Sequence, residues 1–166
     1  MSHIPIISFV AKSGTGKTTL LEKVIKELKN RGLRIAVIKH AHEFEIDHPG
    51  KDSWRHAQAG ADIVAVSSED KFALIEKRQK EMTLDEIASR ISGVDLILTE
   101  GFKKEKTPKI EVFRSEVSSQ LLSKPEELIA IASDVRLDLE VPCYDINDAS
   151  GIAGEIQNYI SNFSMN

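Results

Sequence analysis

Short apolar runs alternate with helically spaced segments along most of this chain. Ile6, Ile7, Phe9 and Val10 form a β-prone run that gives way to a small-residue loop, Ser13 to Gly16. Leu20, Leu21, Val24, Ile25 and Leu28 then fall on one stripe of a helix predicted from Lys17 to Asn30, with Gly32 in its stop. Leu33 to Lys39 is a continuous apolar run, the pattern of a strand buried on both faces of a parallel sheet. A strand, loop, helix and strand of this length imply a right-handed crossover.

From His40 to Gly50 the periodicity is lost, and a short helix is expected from Asp52 or Ser53, either as its cap, to a stop at Gly60. Ile63–Ser67 and Lys71–Glu76 flank a polar turn and read as an antiparallel hairpin, which in a parallel pattern belongs at the sheet edge. Thr83 and Glu86 form a capping box for a helix running to about Ser92. Val94 to Thr99 reads as a buried strand and Lys109 to Arg114, with alternating charges, as a half-buried one. Leu128–Ala132 and Val141–Ile146 are further strands, and Ala149 to Ile160 closes the chain as a helix with isoleucines at spacing four. The expected fold is α/β: a doubly wound, mostly parallel sheet of the P-loop NTPase type with an antiparallel edge hairpin.

A length of 166 residues, 41% of them hydrophobic, suits a single nucleotide-binding domain over residues 1–166. The formal charge of −4 argues against general nucleic-acid binding. Cys143 stands alone, so no intrachain disulfide or cysteine metal cluster can form; it is expected as a small buried residue. No signal-like N-terminus is visible, and no apolar run approaches the roughly 18 residues of a membrane span. A reduced, cytoplasmic, soluble protein is the expectation.

The chemistry concentrates in Ser13-Gly14-Thr15-Gly16-Lys17-Thr18-Thr19. Glycines let successive backbone N–H groups turn inward, and the positive end of the following helix makes that concavity attractive to phosphate. Lys17 is placed to reach the β/γ-phosphates and the Thr18 hydroxyl to ligate Mg²⁺. The full motif wants glycine at position 11, where this chain has Ala11, acceptable at a strand end. Glu100, followed by Gly101 at the carboxyl end of an apolar strand, is the expected acid that holds Mg²⁺ water or polarises the attacking water. Asp95, at the other end of that strand, is the weaker candidate. The polar loop from His40 to Asp52 reads as a switch, with Asp47 or Asp52 approaching Mg²⁺; His40, His42 and His48 match no closed zinc spacing. Asp134, leaving a late strand with no Asn-Lys-x-Asp motif, is either an acceptor for guanine hydrogen bonds or a plain loop aspartate. The basic loop Phe102 to Lys109 is either a contact for an anion or a solvated charge run.

The segments AKSGTGKTTLLEKVIKEL, IAVIKHAHEFEIDHPGKDSWRHAQAGAD, DLILTEGFKKEKTPKIEVFR and VPCYDINDAS resemble, in that order, the MobB family of molybdopterin-guanine dinucleotide biosynthesis adapter proteins. The resemblance implies a homodimeric, cytoplasmic GTP-binding protein with slow GTPase activity. It implies a partner nucleotidyltransferase that attaches GMP to molybdopterin, with molybdopterin itself a candidate ligand. Gly14, Gly16, Lys17, Thr18 and Thr19 would inherit phosphate and Mg²⁺ binding, and Glu100 the acidic site. Lys12, five residues before Lys17, is similar to the second lysine in the variant P-loop of dimeric ATPases such as MinD, which reaches the partner subunit's phosphate. Ser13 departs from that variant's glycine. Two other classes fit the same loop. A small-molecule kinase would need an arginine-bearing lid, and the arginines, Arg55, Arg78, Arg90 and Arg114 among them, are scattered. The other is a non-catalytic, nucleotide-gated binding module.

Overall fold

The computed structural model describes residues 4–163. These form two compact units, one of the residues up to His40 and from Leu84 onward, the other of Ala41–Thr83.

The first unit is built on six parallel strands: β1 (Ile6–Ala11), β2 (Ile35–Lys39), β5 (Leu96–Glu100), β6 (Lys109–Phe113), β7 (Leu128–Ser133) and β8 (Cys143–Asp145). Their order is β2-β5-β1-β6-β7-β8, so β1 lies inside the sheet between β5 and β6. Two long helices, α1 (Lys17–Asn30) and α4 (Ala149–Phe163), bury Leu20, Leu21, Val24, Leu28, Ile152, Ala153 and Ile156 against one face, formed by Ile7, Phe9, Leu96, Leu98, Ile110, Val112, Ala130 and Ala132. Each fully buried leucine, isoleucine or valine side chain here contributes roughly 1.5–3 kcal/mol. The other face is covered over β2 and β5 by the short α3 (Leu84–Ala88), where Leu84 meets Ile38 and Ile97. Helices on both faces make the sheet doubly wound, as its sequence pattern predicts.

Several local expectations are corrected. The run 35–39 is an edge strand: only Ile38 is buried, and Val37 is 46% exposed. Helix α3 ends at Ala88 because the next turn tightens, Arg90 N–H donating to the Ile87 carbonyl and Ile91 N–H to that of Ala88. Strand β6 is buried throughout, charges included. Phe113, Leu128, Ile131 and Leu121 make a third apolar cluster, and the segment after β6 wraps back so that the Glu111 carboxyl accepts the Leu122 and Ser123 N–H groups at 2.6 and 2.9 Å. Lys109, 1% exposed, donates to Glu127 at 2.8 Å. Cys143 is exposed, because its three-residue strand is the outer edge of the sheet.

In the second unit, α2 spans Asp52–Gln58 and stops before Gly60 at φ +110°. Its N-cap position is Lys51, with no side-chain cap, so neither Asp52 nor Ser53 caps it. The hairpin forms with β3 (Ile63–Ser67) and β4 (Phe72–Glu76), closed by Ser68 N–H on the Lys71 carbonyl at 2.8 Å. It is a two-stranded sheet of its own and does not pair onto an edge of the parallel sheet. No helix among the described residues is long and apolar enough to cross a membrane.

Candidate functional site

Strand β1 ends at Ala11 and the chain turns through Lys12–Gly16 into α1. Gly14 and Gly16 lie at φ +82° and +89°, a region costly for residues bearing Cβ. Ala11 keeps a negative φ, as a strand end allows. Thr15, 2% exposed, folds its hydroxyl back onto the Lys12 carbonyl at 3.1 Å. No backbone N–H from Ser13 to Thr19 donates to a protein acceptor among the described residues, and the N-cap Gly16 supplies no side-chain cap. A loop with its amides unspent at a helix N-terminus fits a phosphate.

Parallel pairing of β1 with β5 sets Phe9 opposite Glu100 and thereby brings Glu100 to the loop. Glu100 is 8% exposed; its Oε1 accepts Lys17 Nζ at 2.5 Å and Thr18 Oγ1 at 2.6 Å, and Lys39 Nζ lies 3.8 Å from Oε2. Burial pushes this carboxyl up, but hydrogen bonds from Lys17 and Thr18 and the charges of Lys17 and Lys39 outweigh it and hold it below its ordinary value. Hydroxyl and carboxylate oxygens are donors suited to Mg²⁺. Beyond Glu100 the chain turns sharply at Gly101 (φ +105°), where a Cβ would stand 3.1 Å from that of His40. Phe102 follows at φ +52° and meets the His40 ring edge-on at 5.2 Å.

This geometry has a consequence for acid stability. A carboxyl with a lowered folded-state pKa stabilises the fold above its unfolded value, near 4.5, and loses that contribution as pH falls through the lower folded value. The stability difference between the wild type and Glu100→Gln, from urea unfolding, should therefore be level from pH 7 to about 5.5 and shrink below about 4.5. A difference that stays level down to pH 3 contradicts the pairing.

The other expected site residues have the following surroundings. The side chains of Lys12, Ser13 and Thr19 are exposed; that of Lys12 has no polar partner among the described residues. Asp47 and Asp52 belong to the second unit, where Asp47 accepts the His48 N–H at 2.8 Å and Asp52 lies 3.7 Å from Arg55. No cluster of three His, Cys, Asp or Glu able to hold a metal exists among the described residues. Asp134 spends both oxygens on Ser115, from its N–H at 2.8 Å and its hydroxyl at 2.9 Å. Backbone hydrogen bonding from Ser115 leads in holding the Asp134 carboxyl below its ordinary value. Asp95 accepts the Arg34 N–H at 2.7 Å at the far end of β5. Sequence reasoning missed Arg114, which β6 delivers to the loop: its Nε donates to the Thr15 carbonyl at 3.2 Å. The signal was a strand followed at once by arginine, unreadable until β6 is known to neighbour β1.

A parallel sheet in this order, a glycine loop between β1 and α1, and an acid closing β5 define an α/β protein of the P-loop NTPase fold. Residues 6–134 match the family model described as molybdopterin guanine dinucleotide synthesis protein B, MobB. The chain belongs to the MobB family. It is 46% identical over 161 residues to the molybdopterin-guanine dinucleotide biosynthesis adapter protein of Escherichia coli K12, covering 90% of each chain. To the Haemophilus influenzae protein of that name it is 38% identical over 165 residues, covering 98% of this chain and 93% of the relative. A crystal structure of molybdopterin-guanine biosynthesis protein B superposes with a TM-score of 0.74 at 32% identity, over 94% of this chain and 99% of the other.

Proposed function

We propose that this chain binds GTP with Mg²⁺ in the Ser13–Thr19 loop, hydrolyses it slowly, and acts as a dimer assisting a partner nucleotidyltransferase that attaches GMP to molybdopterin. The observation that carries the nucleotide part is the cluster of Lys17, Thr18 and Glu100 at the mouth of a loop whose amides have no protein acceptor. The adapter part rests on family membership and on the names of the relatives.

The loop amides and Lys17 position the triphosphate, which is most of what phosphoryl transfer asks of a protein. To do so Lys17 exchanges Glu100 for a phosphate oxygen. Thr18 and Glu100 would hold Mg²⁺, which neutralises charge on the phosphate oxygens when bound. In hydrolysis water attacks the γ-phosphorus, the bond to the bridging β–γ oxygen breaks, and GDP and phosphate leave. Glu100, with a lowered proton affinity, is ionised at neutral pH and orients that water rather than storing its proton.

The test is competition between GTP and ATP for the purified protein, with phosphate release followed alone and with candidate acceptors. GTP should win, and Lys17→Ala should bind it ten- to a hundredfold more weakly, the worth of one charge-assisted hydrogen bond of about 1.5–3 kcal/mol. Preference for ATP removes the guanine assignment. Transfer that requires an acceptor makes the protein a kinase, and binding without turnover makes it a gated module.

A further inference from the structure

The loop is flanked on both sides, by Glu100 from β5 and by Arg114 from β6, because β1 lies between those strands. The register of β6 on β1, with Ala11 opposite Val112, carries Arg114 level with the turn. Its backbone is held in place: its carbonyl accepts the Val117 and Ser118 N–H groups at 2.9 and 3.0 Å, and the next residue, Ser115, is clamped by Asp134. From this fixed base Nε reaches the Thr15 carbonyl, and Nη2 would stand 3.6 Å from a Cβ built on Gly16. No other hydrogen-bond or ion-pair partner of the guanidinium occurs among the described residues.

From this arrangement we infer that Arg114 is a positioning residue of the phosphate loop, acting from the neighbouring strand through the Thr15–Gly16 peptide. The peptide is planar and trans, so its carbonyl and the following N–H point in opposite directions. Holding the Thr15 carbonyl toward β6 turns the Gly16 N–H away from β6 and keeps it available to a ligand. Gly16, at positive φ and without a side chain, is with Gly14 one of the two glycine hinges in the turn. A cationic donor on the carbonyl also polarises the peptide, strengthening its N–H toward an anion. The inference deepens the nucleotide reading above and rests on it. It gives Asp134 a structural place as well: by clamping Ser115 it steadies the base from which Arg114 reaches the loop.

The experiment compares wild type, Arg114→Met, Arg114→Lys and Lys17→Ala in Mg²⁺-GTP affinity, melting temperature without ligand, and the Gly16 amide resonance with and without GTP. Methionine keeps the length without a donor and should weaken GTP about ten- to thirtyfold, with at least half the GTP-induced shift of the Gly16 amide lost. Lysine restores a cationic donor and should recover most of the affinity. Binding by Arg114→Met within twofold of wild type, beside a weakened Lys17→Ala, overturns the role of Arg114 alone. So does a weakened Arg114→Met with a normal Gly16 shift, or one whose loss lysine does not relieve and whose melting temperature falls in proportion. A wild type that binds no nucleoside triphosphate, or a Lys17→Ala that binds as tightly, overturns both readings.

Discussion

Glu100→Gln should slow GTP hydrolysis about a hundredfold, the lower end of what a positioned acid or base contributes. Its affinity for GTP without divalent metal should rise. The two effects have one origin. Lys17 and Thr18 both donate to Glu100 Oε1, so a phosphate must compete with that carboxylate. Glutamine keeps a carbonyl for Thr18 but gives up the charge that holds Lys17 and repels the triphosphate. It also cannot orient water as a buried carboxylate does. Single-turnover phosphate release, with titration of GTP in EDTA and in Mg²⁺, separates the two. A rate within threefold of wild type removes Glu100 from the reaction, and an EDTA affinity lower than wild type removes the competition.

The second large effect is on the fold. Glu111→Ala should destabilise the protein by about 3 kcal/mol, since two backbone N–H groups lose their acceptor at roughly 1–3 kcal/mol each when water replaces it poorly. That corresponds to a melting temperature lower by roughly 6–12 °C for a chain of this size. Glu111 is 2% exposed in a strand buried along its length, and its two oxygens hold the wrapped segment at Leu122 and Ser123. Glutamine, retaining one acceptor oxygen but turning an NH₂ toward an N–H, should cost about half as much. Urea unfolding of the three proteins measures this. A Glu111→Ala within 1 kcal/mol of wild type would show that the segment after β6 holds without its anchor.

Glu111 is also where sequence reading and structure part most clearly. Alternating charges in Lys109 to Arg114 read as one wet face, because period two is the mark of a half-buried strand. What covers that face is a segment with no periodicity of its own, and the two charges survive burial only because each finds a partner, Lys109 in Glu127 and Glu111 in two backbone amides. The run Leu33 to Lys39 erred in the other direction: its continuous apolar character suits an interior strand, yet the strand order leaves it at an edge.

The glycine loop and its strand and helix were legible in the chain alone, since their signals are local: glycines at positive φ, a helix stripe and Lys17 lie within one short stretch. Glu100 was legible almost as well, because an acid ending an apolar strand has few places to go in a parallel sheet. The sequence by itself thus determined the doubly wound architecture, the amide-lined loop and the acid that answers it. Only the tertiary structure decided that Asp134 is spent on Ser115, that the hairpin is a sheet of its own, and that Arg114 comes to rest on the Thr15 carbonyl. The physical reason is the same in each case. Which strand lies beside which is set by the summed packing of helices on both faces of the sheet, and no local pattern of residues encodes that sum.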